Sequence, residues 1–263
     1  VTTGPAFELA DISVHYGFLR ALDGVSVSVA PGEVVALLGD NGAGKSTLLK
    51  VMSGAHRPTG GTIRVHGTEH AFRGPRDAAE AGVQMVYQDL ALVDAMDIAT
   101  NLSLGLEPVR RGVLGWLGFI DRKAMRADSQ RELDALGVRT APVTRPVEML
   151  SGGQRQVVAI ARAAARLGQG GVLLMDEPTA ALGHEQTALV EDLIVRLAER
   201  GTAIVVVTHN LPLAESVAHR MVVLNRGRKV ADVRTKDTDK DQVVSWITGA
   251  SVQAGYEAQA QNV

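Results

Sequence analysis

The sequence predicts an α/β protein: a mainly parallel sheet covered by helices, an antiparallel β part at the N-terminal end, and a smaller helical lobe. Three observations predict it. Runs 34–38, 172–175 and 203–207 are apolar at every position, the pattern of strands buried on both faces of a parallel sheet. Helical patterns separate the later runs, as βα alternation requires. Between 89 and 150 the composition turns mostly helical, and 121–136 reads as a charged amphipathic helix.

The elements follow in order. Residues 7–14 and 24–29 are short β-type runs, and Pro31-Gly32 punctuates a turn after them. Run 34–38 leads into a glycine-rich loop and a helical stretch over 45–52, after which 62–65 and 83–87 read as strands. The lobe comes next. Beyond it, Leu189, Val190, Leu193, Ile194 and Leu197 form an apolar helical stripe that Gly201 ends, and 221–224 is one more buried strand. The expected division is a single domain over 5–250, with a core from 5–88 and 155–250 and a helical lobe over 89–154. The polar, small-residue tail 251–263 is expected to be flexible.

Composition narrows the function classes. The 263 residues suffice for one large domain or a core with an attached lobe, and 46% hydrophobic with 21% charged residues is ordinary for a soluble globular chain. A formal net charge of -2 gives no electrostatic reason to expect a polyanion, so no nucleic-acid partner is expected. The absence of cysteine excludes a disulfide framework and a thiolate metal site, and fits a cytoplasmic setting. Residues 1–10 lack the basic start and apolar stretch of a leader, and none is expected. The longest greasy segments, 113–120 and 203–207, fall short of the roughly 20 residues that span a bilayer.

The chemistry begins at Gly39-Asp40-Asn41-Gly42-Ala43-Gly44-Lys45-Ser46, with Thr47 following, a G-x-x-x-x-G-K-[ST] run between a strand and a helix. Its glycines let successive main-chain N–H groups curl inward around phosphate oxygens. Lys45 supplies a positive charge for the β- and γ-phosphates, Ser46 an oxygen for Mg²⁺, and the helix dipole favours the anion. This is a phosphate-binding loop, and it predicts a P-loop NTPase core. By itself it does not separate a kinase from a GTPase or a motor.

Leu150-Ser151-Gly152-Gly153-Gln154 separates them. Ser151 and Gln154 have capping-box spacing, and the two glycines leave the first-turn amides uncovered, which makes a second anion site at a helix N-terminus. Leu-Ser-Gly-Gly-Gln is the signature of ATP-binding cassette (ABC) ATPases, and the chain resembles that family from about 7 to 249. In 172–177, a buried run sets two carboxylates at its C-terminal edge, where open α/β sheets bind ligands. The resemblance implies that Asp176 is the Walker B aspartate that steers Mg²⁺, and that Glu177 is the catalytic glutamate that polarises the attacking water. It implies that Gln88 is the Q-loop glutamine, which touches the metal near the contact with the membrane partner. His209 matches the switch histidine that senses the γ-phosphate, and Tyr16 the aromatic that stacks on adenine. One position departs from the family: Gly183 stands where many members carry an aspartate that helps the two sites communicate.

GDNGAGKST at 39–47, VYQDLALV at 86–93, GWLGFIDRKAM at 115–125 and EPTAALG at 177–183 resemble a narrower group, the ATPase subunits of bacterial monosaccharide importers of the ribose, xylose and fructose type. The chain has one cassette, so that resemblance implies a second copy of itself, with ATP and Mg²⁺ sandwiched between the loop of one copy and Ser151 of the other. It also implies membrane permease subunits docked near Gln88 and the lobe, a sugar-binding protein as an indirect partner, and a place on the cytoplasmic side of the membrane. The alternatives are an ABC ATPase of another transport class, such as an exporter, or a soluble non-transport member. The latter is opposed by the 89–150 segment, which carries no sustained coiled-coil heptads.

Overall fold

The computed structural model describes residues 4–138, 140–168 and 170–250; the tail expected at 251–263 lies outside the described residues. The chain runs β1 (Phe7–Tyr16), β2 (Leu19–Val29), β3 (Val34–Leu38), α1 (Lys45–Met52), β4 (Gly60–Val65), β5 (Thr68–His70), α2 (Pro75–Glu80) and β6 (Val83–Val86). It continues through α3 (Ile98–Ser103), α4 (Val113–Trp116), α5 (Arg122–Ala135) and α6 (Gly152–Ala165). Then come β7 (Val172–Asp176), α7 (His184–Glu199), β8 (Ala203–Val207), α8 (Leu211–Val217), β9 (Arg220–Asn225), β10 (Arg228–Arg234) and α9 (Lys240–Thr248).

Two sheets result. The first is antiparallel, in the order β2-β1-β4-β5. The second runs β10-β9-β3-β8-β7-β6, parallel throughout except for β10, which turns back along β9 at one edge. This is the predicted architecture, a P-loop NTPase core with an antiparallel N-terminal part and a helical lobe.

The all-apolar strands have a simple packing explanation. Alternate residues of a strand face opposite ways. Val34, Ala36 and Leu38 of β3, with Leu173 and Met175 of β7, join a core that includes α6, α7, α8 and the lobe residues Ile98, Leu133 and Val147. Val35 and Leu37, with Leu174, Val205 and Val207, face the other side and pack with α1 and the antiparallel sheet. Each strand therefore feeds two cores, and a polar residue on either face would be buried.

The lobe is less helical than its composition suggested. Gly105, Pro108, Gly112, Gly118, Pro142 and Pro146 break it into α3, the single turn α4, and α5. Asp97 and Asp121 cap α3 and α5 through their carboxylates, the Asp97 one accepting from the Thr100 N–H at 2.8 Å. Asn101, fully buried, satisfies its amide against the main chain of Val93, Met96 and Asp97, and so holds the loop between β6 and α3. Between α3 and α5 the chain exposes Leu106, Val109, Val113, Leu114, Trp116, Leu117, Phe119 and Ile120, and α4 buries no side chain. Among the described residues, no helix is long and apolar enough to cross a membrane.

Candidate active site

The parallel strands end together, and their C-terminal edge collects the loop after β3, the carboxylates after β7, the residues after β8 and Gln88 after β6. Gly39 opens the first loop at φ 151°, and a Cβ there would lie 2.4 Å from the Leu224 carbonyl oxygen of β9, so main chain excludes any side chain. Gly44 is the N-cap of α1 and gives the first turn no side-chain cap. The early amides of α1 are thus left for an outside acceptor, and the dipole adds to their pull on an anion. Lys45, half-buried, donates its ammonium to the carbonyls of Gly39 at 2.7 Å and Asp40 at 3.0 Å, and thereby arches over the loop. Residues Asp40 to Thr47 line a cleft of about 510 Å³ whose other wall is Tyr16, Leu19, Arg20 and Ala21. The Asn41 and Ala43 amides donate within the loop to Asp40, and the first-turn amides of α1, Lys45 and the helix dipole fit a nucleotide's phosphate chain.

Beside this loop, the parallel register sets Asp176 opposite Val207, which brings the residues after β7 and β8 together. Glu177 adopts φ 48°, a left-handed conformation that costs a non-glycine residue about 1 kcal/mol. That turn aims its carboxylate at the end of β8. Thr208 Oγ1 donates to Glu177 Oε2 at 3.1 Å, the His209 N–H donates to Oε1 at 3.1 Å, and His209 Nδ1 lies 2.7 Å from the same oxygen. A carboxylate accepts only, so the proton of this contact sits on Nδ1. The Glu177 side chain is 17% exposed and that of His209 75%, so a well-anchored carboxylate carries an exposed imidazole at its mouth. Burial pushes the Asp176 carboxyl above its ordinary range, and the neighbouring Glu177 adds to this, while Lys45 and Lys50 pull the other way.

The structure therefore brings Gly39 to Thr47, Asp176, Glu177, His209 and Gln88 to one sheet edge. Gln88 is exposed just past β6, where Val86 pairs with Met175. Tyr16 sits at the mouth of the cleft, 44% exposed, with its ring 5.0 Å from that of His56. The hydroxyl of Ser46, the carboxylate of Asp176 and the amide of Gln88 are hard oxygen donors, a set that suits a hard divalent cation.

Ser151, Gly152, Gly153 and Gln154 stand apart from that cleft. They open α6, where the predicted capping box forms: the Gln154 N–H donates to Ser151 Oγ at 3.3 Å and the Ser151 N–H donates to Gln154 Oε1 at 3.1 Å. Ser151 is exposed, whereas Gly153 is buried so tightly against α7 that a Cβ would lie 2.6 Å from Gln186 Cβ. Sequence reasoning missed Thr208, which anchors Glu177, as well as Arg20, Arg226 and Gly227, which line the cleft. The Thr-His pair and the Asn-Arg-Gly turn punctuation were the available signals.

Comparison with known proteins agrees with this geometry. Residues 22–180 match the family model described as ABC transporter. The fructose import ATP-binding protein FrcA of Rhizobium meliloti is 44% identical over 238 residues, covering 90% of this chain and 91% of the relative. A xylose/arabinose import ATP-binding protein, XylG of Sulfolobus acidocaldarius, is 39% identical over 241 residues, covering 92% and 93%. A solved dimeric structure of a bacterial ABC transporter cassette superposes with a TM-score of 0.70 at 25% identity, covering 88% of this chain and 100% of that one. A glycine-rich loop shaped for phosphates, an anchored glutamate at the same sheet edge and these two relatives, matched over nearly their whole length, lead to one conclusion: the chain belongs to the ABC transporter family, as its ATP-binding and ATP-hydrolysing cassette.

Proposed function

We propose that the chain energises a monosaccharide importer, working as one half of a two-cassette ATP sandwich on the cytoplasmic side of the membrane. The observation that carries the ATPase part is the Glu177 carboxylate held by Thr208 and His209 at the edge of the phosphate loop. The import assignment is supported by the two relatives, whose names specify fructose and xylose/arabinose import.

In this reading the amides of the loop and Lys45 bind the triphosphate, Thr47 closes the first turn over it, and Tyr16 holds the base. Ser46, Asp176 and Gln88 would hold Mg²⁺, which would supply positive charge against the triphosphate. The Glu177 carboxylate accepts a proton from the attacking water, and His209, released from Oε1, donates to the charge that develops on the γ-phosphoryl. The exposed Ser151 cap and the Gly152 amide close over the γ-phosphate of a second copy, since in their own copy they lie away from the cleft. Permease subunits dock near Gln88 and the 89–154 lobe, and a sugar-binding protein hands them the cargo.

The test is Glu177→Gln. It keeps the shape and the hydrogen bond from Thr208 but not the base. ATP affinity by calorimetry is expected to be unchanged, while turnover falls by about 10²- to 10⁴-fold. Turnover near that of the parent would remove Glu177 from this role.

A further inference from the structure

Arg226 is an outlier in backbone and in charge. It sits in the two-residue turn that joins β9 to β10, at φ 47°, followed by Gly227 at φ 79°. Positive φ at both central positions defines a type I′ turn, whose first place is favoured by Asn, Asp or Gly, and an arginine there is strained. The turn is also pinned to the phosphate loop: the Gly227 N–H donates to the Ala43 carbonyl at 2.9 Å, and the Gly227 carbonyl accepts from the Asp23 N–H at 2.9 Å. Those two bonds fix Arg226 on the wall of the nucleotide cleft.

Charge sets it apart from its neighbours. Arg20, on the facing wall, donates to Asp23 at 2.9 Å, and Arg228 donates to the same carboxylate at 2.8 Å, which holds the Asp23 carboxyl below its ordinary range. These two arginines are already paired. Among the described residues, Arg226 takes part in no ion pair. A strained, unpaired, exposed guanidinium tied by its own turn to the phosphate loop is a positive charge kept for an anion.

We infer that Arg226 is a nucleotide-affinity residue: its guanidinium meets the phosphate chain of the bound nucleoside di- or triphosphate and strengthens ground-state binding. This rests on the nucleotide reading of the cleft. Arg226 lines the cleft, and neither Glu177 nor His209 is part of that lining, so it acts on binding and not on the chemical step.

Arg226→Asn tests this and separates function from structure. Asparagine suits the turn better than arginine, so the variant is expected to melt at a higher temperature. Its dissociation constant for ADP, measured by calorimetry, is expected to rise roughly 3- to 10-fold, with KM for ATP rising equally and kcat unchanged. Adenosine affinity is expected to stay the same, and Arg226→Lys to recover part of the loss. An unchanged ADP constant in the asparagine variant would overturn the inference, as would an equal loss for adenosine and ADP. If the parent chain itself binds no ADP, the nucleotide reading fails first.

Discussion

Asp176 and Glu177 are adjacent carboxylates with opposite surroundings. Glu177 is satisfied by three donors from Thr208 and His209, whereas Asp176 meets burial and the charge of its neighbour, and its carboxyl is pushed up. A carboxyl whose folded pKa is raised takes up protons on folding, so stability declines as pH rises from the unfolded pKa through the folded one. Above the folded value the full cost of the charge is present. Asp176→Asn is therefore expected to raise the melting temperature at pH 7 in metal-free buffer, to lose that advantage below pH 4, and to hydrolyse ATP poorly. A melting temperature that falls at pH 7 would contradict the electrostatic account. In the proposed function a cation bound at Asp176 would offset that destabilising charge, a common relation between stability and activity.

At the scale of elements, much was legible. Runs 34–38, 172–175 and 203–207 are apolar on both sides because two cores need them, and they were read as buried strands with nearly the observed bounds. The 39–47 loop was readable because main-chain amides do its work and the sequence must spell out the glycines that bare them. β10 was not readable: Arg228–Arg234 is a half-exposed edge strand of mixed charge, and only its pairing with β9 makes it a strand. Thr208 and Arg226 were hidden for a related reason, since their partners lie 31 residues away across the sheet or in a turn geometry that composition does not reveal. The α6–α7 contact gives a prediction at this scale. Gly153→Ala would drive a methyl to within 2.6 Å of Gln186 Cβ, near the helix backbone. It is expected to cost about 1–3 kcal/mol in denaturant unfolding and to tilt the start of α6. Unfolding at the parental midpoint would show that the contact relaxes freely.

For the whole molecule, the proposed sandwich turns on the separation of two helix N-termini. The phosphate loop lies at the sheet edge and the Ser151 cap opens α6 without lining that cleft, so in that proposal one chain offers two incomplete halves. Two copies related by a two-fold axis would complete both sites at once, and a slowly hydrolysing chain would hold the pair together through its bound ligands. The Glu177→Gln chain is expected to elute as a dimer in gel filtration with Mg-ATP and as a monomer without it. Elution as a monomer at high protein and nucleotide concentration would sink the sandwich.

The bare apolar rim between α3 and α5, with Trp116 at 85% exposure, has a practical consequence. Grease on that scale in open water is a colloidal liability. Concentrated far beyond gel-filtration conditions, this chain alone will crowd rim to rim whether or not nucleotide is present, and mild detergent will disperse those clusters while leaving a nucleotide-dependent dimer intact.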